Sequence, residues 1–176
     1  MPICSLPVAQ AGPAQYECFI LMNTVCCPVS ELLPHRAGML LIDSVSRFDR
    51  SEIVVRASSS AQAWYADSDG GMPAWIGIEL MAQAVAAWVG LCAREAGVAI
   101  KPGVLLGCRH YLSQSARFGA GVELSIVARP IYRDENGMGS FECEILADGR
   151  AVVDATINVF EPEDFTVFLQ QRRAVQ

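Results

Sequence analysis

MPAWIGIELMAQAVAAWVGLCAREAG, residues 72–97, is the stretch that decides how this chain folds. Pro73 suits a first helical turn, where a missing N–H costs nothing. Ala, Leu, Met and Gln then supply a run of good helix formers. Arg94 stands near the negative end of the helix dipole, and Gly97 suits the residue just past a C-terminus. The spacing predicts a helix over residues 74–96, about 35 Å long at about 1.5 Å per residue. Ile76, Ile78, Leu80, Met81, Val85, Trp88 and Val89 spread around it rather than along one stripe, which is the pattern of a buried helix. Glu79 and Gln83 interrupt that surface, one turn apart on the same face. A carboxylate in such surroundings must be paired, protonated or used in chemistry.

The 176 residues suffice for one domain with a single sizeable core. Hydrophobic residues make up 52% and charged ones 18%, a balance that excludes disorder and suggests apolar surface shared with another subunit. A net charge of −6 and a pI near 4.9 argue against nucleic acid or an anionic membrane as the main partner. Seven cysteines, at positions 4, 18, 26, 27, 92, 108 and 143, form no Cys-x-x-Cys pair and read as reduced, mostly buried thiols in a cytoplasmic protein. With two histidines and no clustered ligands, neither a metal nor a cofactor is expected. The apolar patch 19–27 is short for a bilayer and lacks the basic start of a signal peptide. Residues 1–28 read as a weakly ordered extension, with Met22 as a second candidate start.

After the extension, Ser30 is a candidate N-cap for a short helical turn that Pro34 stops. Residues 39–45 and 52–57 read as a hairpin turning at Asp49-Arg50, and 58–72 as a small, polar loop leading into the helix. Strands follow at 104–112, 122–132, 139–146 and 150–160, with Asn136-Gly137 and Asp148-Gly149 as hairpin turns. Residues 163–173 suggest an amphipathic tail helix. One antiparallel sheet with one all-apolar helix to cover does so by curling around it. The expected class is therefore α+β, a hot-dog fold over 29–162 followed by a tail over 163–176. A second copy or a related chain would cover the rest of the helix. Gly77 and Gly90 would permit close backbone packing against the sheet or against the twin helix of that second chain.

Leu33-Pro34-His35-Arg36 with Leu40-Leu41-Ile42-Asp43, then Met72-Pro73 and Glu79-Leu80-Met81-Ala82-Gln83, resemble the signatures of the hot-dog 3-hydroxyacyl-acyl-carrier-protein dehydratases of fatty-acid synthesis. Pro73-Ala74-Trp75-Ile76-Gly77 and Leu106-Gly107-Cys108-Arg109-His110-Tyr111 place the resemblance nearer the predicted-dehydratase branch associated with aryl-polyene biosynthesis. The resemblance implies removal of water from a 3-hydroxyacyl thioester carried by acyl carrier protein or coenzyme A. Such a reaction needs a base for the α-proton, an acid for the departing hydroxyl and donors to the thioester oxygen. It implies Glu79 as the acid, protonated through burial, with Gln83 orienting it. Backbone N–H groups near Ala74 and Trp75 would face the thioester oxygen.

At the position where that family carries its catalytic histidine, this chain has Tyr65, and Ala74 replaces a family glycine. Tyrosine, with an ordinary pKa near 10, is a poor base at neutral pH. Tyr65, Ala74 and Trp75 are left as substrate-binding candidates. The base would be a resident group (His110, Asp67 or Asp69) or the histidine of a related subunit. His35 reads as a structural residue of its turn. Without any base, the chain would only shape a partner's acyl channel. Homodimer and heteromer with a related dehydratase both stay open, as does a hot-dog thioesterase in which the helix carboxylate activates water. Trp64, Trp75, Trp88, Met72 and Met81 either line an acyl tunnel or pack the core. Arg109 and Arg117 either meet an acidic carrier or are solvated.

Overall fold

The computed structural model describes residues 20–21, 24–25 and 27–173. The rest of the expected extension, with Met22, Cys4, Cys18 and Cys26, lies outside the described residues, as do residues 174–176. Two short strands, β1 (Ile20–Leu21) and β2 (Thr24–Val25), pair antiparallel, and β2 sits beside β3 (Ser44–Phe48). Then come β4 (Ile53–Ser58), β5 (Met72–Pro73), a 3-10 turn (Ala74–Ile76) and the long helix α1 (Gly77–Glu95). They are followed by β6 (Val104–Ser113), β7 (Arg117–Phe118), β8 (Glu123–Arg133), β9 (Met138–Ala147), β10 (Arg150–Phe160) and α2 (Phe165–Arg173).

Six strands form one antiparallel sheet in the order β3-β4-β8-β9-β10-β6, and α1 packs against β4, β6, β8, β9 and β10. Alternation does the sorting. Along β8 and β9 the inward residues Leu124, Ile126, Ala128, Phe141, Cys143 and Ile145 are fully buried, as side chains on one face of a pleat must be when that face is covered. They meet Leu80, Met81, Ala84, Ala87 and Leu91 of α1, all buried. This is the expected hot-dog fold. By length and hydropathy the span Ala74–Glu95 could also cross a membrane, but 67% of its most apolar window is buried, so it is the core helix of this domain.

Three local expectations are corrected. The apolar run 39–42 is not strand: Ala37–Met39 is a 3-10 turn and β3 begins only at Ser44. The reason is visible in the backbone bonds, since the Met39 C=O and Leu41 N–H are taken by the Gln83 side chain and are lost to any ladder. The first helical turn is Val29–Glu31 with Pro28 at its N-cap, so Ser30 caps nothing. Met72–Pro73 pairs with Arg117–Phe118 in a two-stranded sheet that periodicity could not reveal, because two residues carry no period.

The helix enters the sheet tightly. A Cβ at Gly77 would fall 2.5 Å from Tyr111 Oη and 2.8 Å from Ile145 Cδ1. Tyr111 cannot easily retreat, because its hydroxyl donates to the Ala74 carbonyl, and burial pushes its pKa up to about 12. Gly77→Ala is therefore expected to cost about 1–3 kcal/mol through overpacking, measurable as a lowered denaturant midpoint. Gly97, at φ +68, ends α1 in the left-handed conformation expected of a residue past a helix C-terminus.

Candidate active site

Four residues before β3 begins, the chain folds back onto α1, and Gln83 is the reason. It is fully buried, yet every polar group of its amide is engaged. Nε2 donates to the Met39 carbonyl at 2.7 Å and to Glu79 Oε1 at 2.8 Å, while Oε1 accepts the Leu41 N–H at 2.9 Å. The segment thus held brings His35 over the helix, where its Nε2 lies 3.2 Å from the same Glu79 Oε1. Arg36 braces the turn beneath, its Nη1 donating to the carbonyls of Leu33 (2.6 Å) and His35 (2.7 Å). Trp64 reaches across from the 58–72 loop and donates from Nε1 to the Gly38 carbonyl at 2.9 Å.

Glu79 is therefore fixed through one oxygen. Oε1 takes both neighbours, Gln83 and His35, and Oε2 is left without a protein partner among the described residues. The side chain keeps 34% of its exposure, which corrects the expectation of a carboxylate sealed in oil. No arginine pairs with it among the described residues. Instead it stands at one end of a cavity of ≈130 Å³. One wall is Ala82, Val85, Ala86 and Val89 of α1, faced by Val104 and Phe160 of the sheet; His35 lines the cavity with Glu79, and Lys101, Arg133 and Glu161 add charge to the lining. From Glu79 to Val89 the helix side of this slot runs about 15 Å at about 1.5 Å per residue. Small and branched apolar residues on one side of a helix, with a carboxylate at the entrance, can hold an apolar chain whose reacting end meets Glu79 Oε2.

The other sequence candidates lie elsewhere. Tyr65 is buried, its hydroxyl oxygen accepts the Ser60 N–H at 3.2 Å and its ring meets Trp64 edge-on at 5.7 Å. It does not line the slot. The Ala74 N–H donates to the Ala116 carbonyl at 3.0 Å, so it is not a free donor at the helix start, contrary to expectation. Trp75 is 62% exposed, on the outer surface at the helix entry and not in the slot. Trp88, Met72 and Met81 are core: Trp88 donates to the Asp49 carbonyl at 2.9 Å and packs on Phe141.

Of the resident bases considered, His110 pairs with Asp154 (2.5 Å) on β6 and β10, while Asp67 and Asp69 are clamped by Arg117 at 3.3 and 2.6 Å. None lines the slot. Arg117 is therefore a brace for the 58–72 loop, and Arg109 is exposed. Burial pushes the thiols of Cys92 and Cys143 up, Cys143 to about 12, so neither is a nucleophile at neutral pH.

Sequence reasoning missed the contact of His35 with Glu79 and the far wall of the slot at Phe160. The first was within reach, because Leu33-Pro34-His35-Arg36 stands out as a motif ahead of the helix. The second depends on the pairing of β10 with β6 and had no local signal.

The model of the ApeP-like family, described as ApeP dehydratase, matches residues 27–170. A chain of the dehydratase heterocomplex ApeI:P from Xenorhabdus doucetiae is 32% identical, with a TM-score of 0.78, and the match covers 82% of this chain and 97% of that one. A putative thioesterase from Shewanella oneidensis is 16% identical with a TM-score of 0.54, covering 71% and 85% of the two chains. A hypothetical thioesterase from Streptococcus pneumoniae, solved with coenzyme A, is 15% identical with a TM-score of 0.53, covering 67% and 84%. At those identities the last two share the fold alone. No curated protein matches the chain.

Proposed function

The chain belongs to the ApeP-like dehydratase family, and on that premise we propose that it supplies the acid of a 3-hydroxyacyl-thioester dehydratase whose base comes from a related subunit. The observation that carries this reading is Glu79 at the mouth of the slot, tied through Oε1 and open at Oε2. The resemblance to the dehydratases of fatty-acid synthesis, which puts Tyr65 where they carry a histidine, supports a base from outside the chain. In the proposed reaction the partner's base takes the α-proton, Glu79 Oε2 gives a proton to the departing hydroxyl, and water and an enoyl thioester are the products. Gln83 holds the carboxyl in place. The exposed Trp75 at the helix entry would meet the thioester arm outside the slot.

A heteromer is supported on two sides. The relative from Xenorhabdus doucetiae belongs to a dehydratase heterocomplex. In this chain β6 is an edge strand of ten residues with Leu105, Leu106 and Leu112 exposed, the kind of edge that a second chain covers. Covering the slot mouth would take the exposed third of Glu79 out of water, the setting in which a carboxyl acts as an acid. The substrate would be an acyl thioester on a carrier protein or coenzyme A, in cytoplasmic fatty-acid or aryl-polyene-type biosynthesis.

The test is an assay on 3-hydroxyacyl thioesters with the purified chain alone and after co-expression with a histidine-bearing homologue. Enoyl product from the complex, with the lone chain at least about a hundredfold slower, is the expected result. Full activity of the lone chain would overturn the shared site, and release of free thiol without enoyl product would replace dehydration by thioester hydrolysis.

A further inference from the structure

The slot that opens at Glu79 closes at Phe160. This last residue of β10 lines the slot and also a second, wider crevice of ≈520 Å³ beneath α2, which Pro162, Val167 and Phe168 share. Phe160 is the residue common to both spaces, with Lys101, Arg133 and Glu161 beside it in the slot and Glu163, Asp164 and Gln171 in the crevice.

The backbone on both sides of Phe160 is fixed. Phe160 pairs with Val104 and Met138 in the sheet. Glu161 donates its N–H to the Gly137 carbonyl at 2.9 Å and holds Arg133 at 2.9 Å through its carboxylate. The ring itself is seated from the far side, where the Phe168 ring lies 5.5 Å away and tilted by 57°. Phe165 packs against Phe168 in turn, at 6.3 Å. The helix that carries both begins on Asp164, whose Oδ1 accepts the N–H groups of Thr166 (2.8 Å) and Val167 (3.0 Å). Leu169 is exposed, Val167 lines the crevice while still open to solvent, and Phe168 brings α2 onto Phe160 of the sheet. An aromatic ring held only by apolar contact turns more readily than one tied by a hydrogen bond.

We propose that Phe160, seated by Phe168 of the tail helix, is the end wall that decides how long an acyl chain the Glu79 slot accepts, and that α2 yields when a longer chain enters. The proposal rests on the reading of that slot as the acyl site. Its scale follows from the volume. A cavity of about 150 Å³ holds one benzene, so the slot as it stands takes a short acyl segment or a single ring. Anything longer passes the wall into the crevice under α2. Phe160 is the specificity-determining group, and Phe168 is a positioning residue that acts through it.

The experiment measures kcat/KM of the full complex on a series of 3-hydroxyacyl thioesters lengthened two carbons at a time, for wild type, Phe160→Leu, Phe168→Ala and Phe168→Tyr. Phe168→Ala is expected to raise the ratio of long- to short-chain kcat/KM about tenfold, the scale of one or two methylenes in an apolar pocket. A thermal midpoint like that of the wild-type complex reports an intact fold. Phe160→Leu should move the ratio the same way, and Phe168→Tyr, which keeps the ring, should leave it at the wild-type value. An unchanged ratio in both Phe168→Ala and Phe160→Leu, in a complex whose turnover Glu79→Gln still abolishes, overturns the end wall alone. Full turnover in Glu79→Gln overturns the reading on which it rests.

Discussion

Glu79→Gln in the assembled complex should lower the rate of dehydration by about a hundredfold to ten-thousandfold, the range a positioned acid contributes, with little change in thermal stability. The amide removes the proton that Oε2 would give, and changes almost nothing else. Its oxygen can still accept from Gln83 Nε2 and His35 Nε2, the two groups that hold the carboxylate now. A fall in rate without a fall in melting temperature separates chemistry from folding. Glu79→Asp should land between, because one methylene less draws the carboxylate back from the slot while keeping the acid. If the amide variant turned over substrate at the wild-type rate, Glu79 would be only a partner for Gln83 and His35, and the chain a non-catalytic subunit.

The second large effect is expected at Gln83 and is chiefly one of stability. Gln83→Leu keeps the volume but removes three hydrogen bonds made by a fully buried amide. The Leu41 N–H and Met39 C=O lose their partners against the helix, and an unpaired polar group of this kind costs about 1–3 kcal/mol. A loss of about 2–4 kcal/mol is expected, read from denaturant unfolding. Activity should fall as well, because the same bonds seat the 35–41 segment and brace Glu79. A change below about 0.5 kcal/mol, the range of ordinary surface substitutions, would show that the segment holds its place without Gln83.

The pairing of these two residues explains which parts of the site were legible from the chain alone. Glu79 and Gln83 stand one helical turn apart, and the 3.6-residue repeat alone puts them on one face. Their neighbour His35 is separated from Glu79 by a hairpin and a loop, and no local period links the two. What joins them is a side-chain amide spending its bonds on a distant backbone, which also turned the expected strand at 39–42 into a 3-10 turn. Ile42 of that run is buried, but burial does not say which backbone groups will be bonded to what. For Ala74 the outcome differs for the same reason: a helix start leaves N–H groups over, and only the short β5–β7 pairing decides that the Ala116 carbonyl takes this one.

The sequence by itself determined the helix, the order of the strands after it and the class of fold, because hydrophobic period and turn chemistry are written residue by residue. It also placed a carboxylate and an amide on one face of that helix. Only the tertiary structure decided that Glu79 stands at a half-open mouth rather than in a sealed core, that His35 shares its oxygen, and that Phe160 ends the slot. Those three facts depend on which surfaces distant segments bring together, and contacts between residues far apart in the chain leave no period behind.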